Sequence, residues 1–185
     1  MAERQLHGFT YQQYIYNTYN VEEEKKYTHK WDGYYKGKPV SIKNPREGGD
    51  IEMADFFRQM ETKEDFYLIV GFHDKNNVDI ITKEYFLLVN GEEYHSFFNE
   101  EIGFSLKHVF DGITNDKKDD IKWKETREKY KNLWKNETKN IIRPRFKRDH
   151  KKQKRIQCAI NNKDFEKYFI LKYDIGDTLE RKRNN

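Results

Sequence analysis

An α/β fold is what this sequence predicts: a small mixed β-sheet core flanked by helices, followed by a basic C-terminal part of helix and strand. Three observations predict it. Helical and strand periodicities alternate through the first half in the order helix, strand, strand, helix, strand. Aromatic residues make up 16% of the chain, which supplies enough large buried area to argue for a packed core despite a charged fraction of 37%. Charge is also partitioned, with 23 Lys and Arg against 12 Asp and Glu from Ile113 onward, leaving 13 and 20 in the first 112 residues. At 185 residues the chain is expected to form a single domain, 1–185, with a core over about 8–90 and a basic part over about 113–185.

The elements follow in order. Thr10 with Gln13 has the form of a capping box, and Tyr11, Tyr14, Ile15 and Tyr19 then recur at helical spacing, so a tyrosine-lined helix is expected from Gly8. Glu22, Glu23 and Glu24 with Lys25 and Lys26 end it as a solvated charge cluster. Tyr27 to Tyr35 and Pro39 to Lys43 read as two strands joined by a two-residue turn at Lys36-Gly37. That turn pairs Tyr35 with Lys38, sets Asp32 opposite Ser41 and Lys30 opposite Lys43, and by alternation puts Lys30, Asp32, Ser41 and Lys43 on one face. Asp50 is a fitting N-cap for a helix in which Met53, Phe56, Phe57 and Met60 are buried, while Glu52, Asp55 and Gln59 form a polar row. Phe66 to Phe72 reads as a buried strand, Val78 to Thr82 as another, and Tyr85 to Val89 as a further apolar segment. A long helix is expected from Asp119 or Asp120 to about Glu137, and a last one over Asn162 to Lys172.

Several chemistries are excluded. Gly48-Gly49 lacks the spacing and the Lys-Ser/Thr ending of a phosphate-binding loop, the six histidines lack metal-ligand spacing, and Cys158 in an apolar run reads as a buried structural thiol. No stretch has the apolar length of a membrane span and the N-terminus lacks the apolar run of a signal peptide, so a soluble, cytoplasmic protein with no membrane partner is expected. From Arg143 to Arg155, eight of thirteen residues are Lys or Arg. Arg143, Arg145, Lys147, Arg148, His150, Lys151, Lys152, Gln153, Lys154 and Arg155 are therefore the expected DNA-contacting residues, since such side chains meet phosphates and major-groove base edges. Carboxylates, one lysine and a basic surface are together the set needed for Mg2+-assisted hydrolysis of a phosphodiester.

The unit Trp31-Asp32-Gly33, a short hairpin, then Ser41-Ile42-Lys43 resembles the PD-(D/E)XK nuclease superfamily, in which an Asp and a (Glu/Asp)-X-Lys unit lie on adjacent strands. The resemblance implies a restriction-endonuclease-like core with Asp32 as metal ligand and Lys43 as catalytic lysine. Ser41 stands where the family has an acid, and a known Ser-X-Lys variation supplies the missing carboxylate from the following helix, here Glu52 or Asp55, with Gln59 and Lys30 as supporting groups. It further implies a Mg2+-dependent Type II restriction endonuclease acting on double-stranded DNA as a homodimer. The alternatives are a repair or junction-resolving nuclease of the same superfamily, a non-catalytic basic DNA-binding protein, and an interaction protein.

Overall fold

The structure, a computed structural model, describes residues 3–25, 29–136, 141–148 and 153–182. Among the expected site residues, His150, Lys151 and Lys152 lie outside this set, as does the side chain of Arg148. The fold is mixed α/β, with a five-stranded mixed sheet and a three-stranded sheet flanked by helices. These sheets fall in two compact units, one formed by residues 1–51, 64–91 and 162–185, the other by 52–63 and 92–161.

The first unit opens with α1 (Glu3–Thr18), then β1 (Glu22–Glu23), β2 (Gly33–Tyr35) and β3 (Lys38–Lys43). The turn between β2 and β3 is the expected one. Lys36 and Gly37 both take left-handed backbone angles, φ 48° and 77°, the combination that matches the twist of a two-residue hairpin. The register is accordingly Tyr35 with Lys38, Tyr34 with Pro39 and Gly33 with Val40. The first strand is shorter than expected, because residues 29–32 form a bend in place of regular strand. β5 (Phe66–His73) then pairs parallel with β3, and β6 (Ile81–Val89) antiparallel with β5, fusing two expected segments into one strand and giving the order β1-β2-β3-β5-β6.

Alternation along β3 separates its two sides. Val40 and Ile42 join Tyr11, Ile15, Tyr19, Ile69 and Phe86 in one apolar cluster under α1, leaving Ser41 and Lys43 to the other parity. Gly71 in β5 is required by this packing, since a Cβ there would lie 2.3 Å from Tyr11 Cζ. The C-terminal stretch also belongs to this unit. Tyr19 bridges with Arg181, and Lys182 N donates to Thr18 O at 2.8 Å, so the end of the chain is tied to the end of α1 rather than frayed through Lys182.

The second unit corrects the expected helix after Asp50. Ile51–Asp55 is a strand, β4, and only Phe56–Met60 is helical, α2. Asp55, not Asp50, is the N-cap, its side chain accepting from Arg58 N at 3.0 Å. The reason lies in the alternation Ile51 in, Glu52 out, Met53 in, which suits a strand hydrogen-bonded to β8 in the order β4-β8-β7. Ala54 takes φ 73°, a left-handed angle that costs a non-glycine residue about 1–2 kcal/mol and turns the strand into the helix. Here β7 is Ile142–Arg148 and β8 is Lys154–Ile160. Around them lie α3 (Gly91–Ser96), α4 (Glu100–Asp111) and α5 (Asp120–Asn136), the last over its expected span; Trp123, Tyr130 and Trp134 are buried, whereas the apolar Leu133 is exposed. Phe56 anchors the core edge-to-face against Phe98 and Trp134, whose ring centroids lie 5.5 and 5.3 Å away. Among the described residues no helix is long and apolar enough to cross a membrane.

Gly71→Ala should destabilise the protein by about 1–3 kcal/mol, because the added methyl overpacks the Tyr11 ring. Chemical denaturation of the two proteins checks this, and the double variant Gly71→Ala with Tyr11→Phe should not fully recover the loss, since the methyl would meet the ring carbons Cζ and Cε2 at 2.3 and 2.5 Å as well as the hydroxyl oxygen at 2.6 Å.

Candidate functional site

Of the residues that the resemblance implies, Asp32, Ser41 and Lys43 meet at the open end of the β2–β3 hairpin. Because the tight turn fixes the register, residue 32 arrives beside residues 41–43, although Asp32 itself lies in the bend just before β2. Its backbone stays attached to the strand, Asp32 N donating to Val40 O at 2.9 Å. The Asp32 carboxylate gathers four donors. Oδ2 accepts from Ile42 N at 2.7 Å, from Lys43 Nζ at 3.1 Å and from Ser41 Oγ at 3.5 Å, while Oδ1 accepts from Gln12 Nε2 at 3.1 Å. Asp32 and Lys43 are partly covered, with side chains 23% and 18% exposed, so their attraction is screened less than that of a surface pair. Ser41 is buried.

Gln12 and Tyr16, four apart on α1, belong to this arrangement, and nothing in the sequence had singled them out. Tyr16 donates its hydroxyl to the Asp32 carbonyl oxygen at 2.5 Å. Burial, with the charge of Asp32 beside it, pushes that hydroxyl's pKa well above the usual tyrosine range, which keeps it a donor. The signal that could have found them is their i, i+4 spacing on the polar edge of an otherwise apolar helix face.

Next to Asp32 opens a recess of about 190 Å³, lined among others by Gln12, Tyr16, Glu23, Glu24, His29 and Asp32. Glu24 N donates to Asp32 O at 3.1 Å, which brings the Glu22–Glu24 segment against the site, and His29 Nδ1 lies 3.9 Å from Glu24 Oε2. The acidic cluster read from sequence as solvated therefore sends Glu24 to the same recess, with its side chain only 21% exposed. Among the described residues no group of three or more His, Cys, Asp and Glu is arranged to hold a metal.

Other expected members are placed differently. Lys30 sits over the Trp31 ring at 4.6 Å instead of facing Lys43 across a ladder. Glu52 and Asp55 do not share a helix face, since both fall in β4. Each has a partner of its own in the second unit: Lys147 Nζ lies 2.6 Å from Glu52 Oε2, and Asp55 caps α2. Gln59 is buried and accepts from the Tyr94 hydroxyl at 2.9 Å.

The basic segment forms a hairpin, β7 with β8, in the register Arg143 with Ala159, Arg145 with Gln157 and Lys147 with Arg155. Arg143, Arg145, Lys147, Arg155, Gln157 and the buried Ala159 thus share one face, while Ile142, Pro144, Ile156, Cys158 and Ile160, all buried, share the other. Gln153 is exposed just before β8. Lys154 corrects the expectation of a DNA contact. It is almost wholly buried on the apolar face, where Nζ donates to Thr114 O at 2.7 Å and Asp116 O at 2.8 Å and lies 3.1 Å from Asp120 Oδ1.

A second concave feature of the first unit, about 740 Å³, is lined in part by Tyr11, Tyr14, Asn44, Thr82 and Glu84. Burial raises the Glu84 pKa, although the Tyr11 hydroxyl donates to it at 2.7 Å.

Comparison with protein-family models, with curated proteins and with solved structures finds no match.

Glu84 gives a pH dependence whose sign is fixed. With its pKa raised on folding, the native state holds more protons than the unfolded state between the ordinary glutamate range and the raised value, so its share of the stability falls as pH rises through that interval. Glu84→Gln should flatten the fall above the glutamate range, read from melting temperatures across pH; an unchanged profile would exclude Glu84 as its source.

Proposed function

We propose that this chain is a Mg2+-dependent DNA endonuclease with its hydrolytic site at Asp32 and Lys43, of restriction type and working as a homodimer. The observation that carries the reading is the convergence of the Asp32 carboxylate and the Lys43 ammonium, 3.1 Å apart, beside a recess that also takes Glu24. The donor set suits a hard divalent cation. Such an ion takes oxygen ligands, one or two carboxylates together with water and phosphate, and Asp32 Oδ1 accepts from Gln12 as its one donor among the described residues, which leaves it lone-pair capacity. Asp32 would hold the ion and Glu24 would take the place first assigned to Glu52 or Asp55. When bound, Mg2+ supplies a bound water of lowered pKa and shields negative charge on the phosphate.

The protein's own groups do the rest. Lys43, held by Asp32, is positioned to orient the attacking water and to offset the charge that develops on the phosphoryl oxygens. Gln12 and Ile42 N hold the carboxylate so that it does not follow Lys43 when that side chain turns to the phosphate. The buried Ser41 hydroxyl supports the same carboxylate rather than replacing an acidic ligand.

A second reading has an observation in its favour. Three donors on Asp32 Oδ2 also describe a satisfied ion-pair brace closing the hairpin mouth, as expected of a DNA-binding protein without hydrolysis. Supercoiled plasmid incubated with Mg2+ separates the two. The native protein should nick or linearise it, and Asp32→Asn and Lys43→Met should each lower the rate at least about a hundredfold while circular dichroism stays native. Cleavage by both variants at the native rate would remove the assignment, and DNA binding without cleavage by the native protein would favour the brace.

A further inference from the structure

The exposed face of the three-stranded sheet carries a charge arrangement that the hydrolytic site does not explain. Along β7 every second residue from Arg143 to Lys147 is basic, and the register sets Arg155 across from Lys147 and Gln157 across from Arg145. With a rise of about 3.4 Å per residue, this puts a cation about every 7 Å along the strand, and Arg155 adds one more about 4.8 Å away on β8. β4 flanks β8 on its far side, and from it Glu52 reaches to 2.6 Å from Lys147 Nζ. Both side chains of this pair are more than a third exposed, at 47% and 37%, so the contact lies on the open face and is accessible to a competing anion.

We propose that duplex DNA binds across this face, its phosphates meeting Arg143, Arg145, Lys147 and Arg155, and that Glu52 is a resident counter-charge which a phosphate displaces from Lys147. This rests on the reading of DNA as substrate, but it assigns Glu52 a role opposed to that of a metal ligand. Basic side chains alternating with buried apolar ones let one face of the sheet present its cations while the other packs the core. Gln157 lies within the cationic face, where its amide can both donate to and accept from a base edge. The geometry leaves Lys154 out: it shares the parity of Ile156 and Cys158 and its ammonium is used up by Thr114, Asp116 and Asp120.

The test is fluorescence anisotropy of the full chain with a labelled DNA duplex in EDTA over a series of salt concentrations. Arg143→Gln, Lys147→Gln and Arg155→Gln should each weaken binding and flatten the plot of log K against log salt by about 0.9. Glu52→Gln should tighten binding by about two- to fivefold, the size expected when an exposed ion pair no longer competes. Unchanged slopes in the three cationic variants would overturn the assignment of the face, as would tighter binding of single-stranded DNA or RNA than of the duplex. Weaker binding by Glu52→Gln would overturn the role of Glu52. Because cleavage is absent in EDTA, these outcomes are independent of the hydrolysis reading, which Asp32→Asn tests in Mg2+.

Discussion

The interaction on which the rest of the first unit's candidate site depends is the cluster of donors around the Asp32 carboxylate. A charged oxygen placed against a sheet edge needs several donors to offset the water it loses, and it finds them on two elements: Ile42 N, Ser41 and Lys43 on β3, and Gln12 on α1. This ties the hairpin mouth to the helix that covers the other side of the sheet. It also fixes where the lysine ammonium points, which a long flexible side chain at the end of a strand would otherwise leave undetermined. The same bond network therefore acts in both folding and the proposed chemistry, and the positive-φ turn at Lys36-Gly37 is what makes it possible.

The second unit solves a different problem with the same strand alternation. A hairpin with a dense run of cations has to bury one face, and it does so by keeping Ile142, Pro144, Ile156, Cys158 and Ile160 on the inner parity and the arginines on the outer. Lys154 is the exception. It falls on the inner parity and is accommodated by two carbonyls and a carboxylate, the compensation that a buried ammonium demands. Glu52 belongs to this unit's charge balance through its pair with Lys147.

Much of the first unit was legible in the sequence because its signals are local. The Lys36-Gly37 turn sets the register by residue count, so the meeting of Asp32 with Ser41 and Lys43 followed from arithmetic on a short segment. The apolar run at Phe66 and the long helix over Asp120–Asn136 were legible for the same reason. Ile51–Met60 was not. A strand that passes directly into a helix, with no Gly or Pro between, happens to place Met53, Phe56, Phe57 and Met60 at helical spacing, and only the pairing of β4 with β8 decides that Ile51–Asp55 is extended. Gln12 and Tyr16 were missed, and Glu24 was read as part of a solvated cluster, because their placement depends on where α1 and the β1 segment lie against the hairpin, which is a long-range fact. Lys154 was misassigned although its alternation with Ile156 and Cys158 marked the inner face, since a run rich in cations hides the parity of any one of them.

Direct metal binding tests the central claim, that Asp32 holds the catalytic ion, without relying on turnover. Isothermal titration of Mn2+ into the full chain, native and Asp32→Asn, reads it while leaving the shape of the site in place. Saturable binding to the native protein that is lost or weakened at least about tenfold in the variant is the predicted result. Equal binding by the two proteins would contradict it.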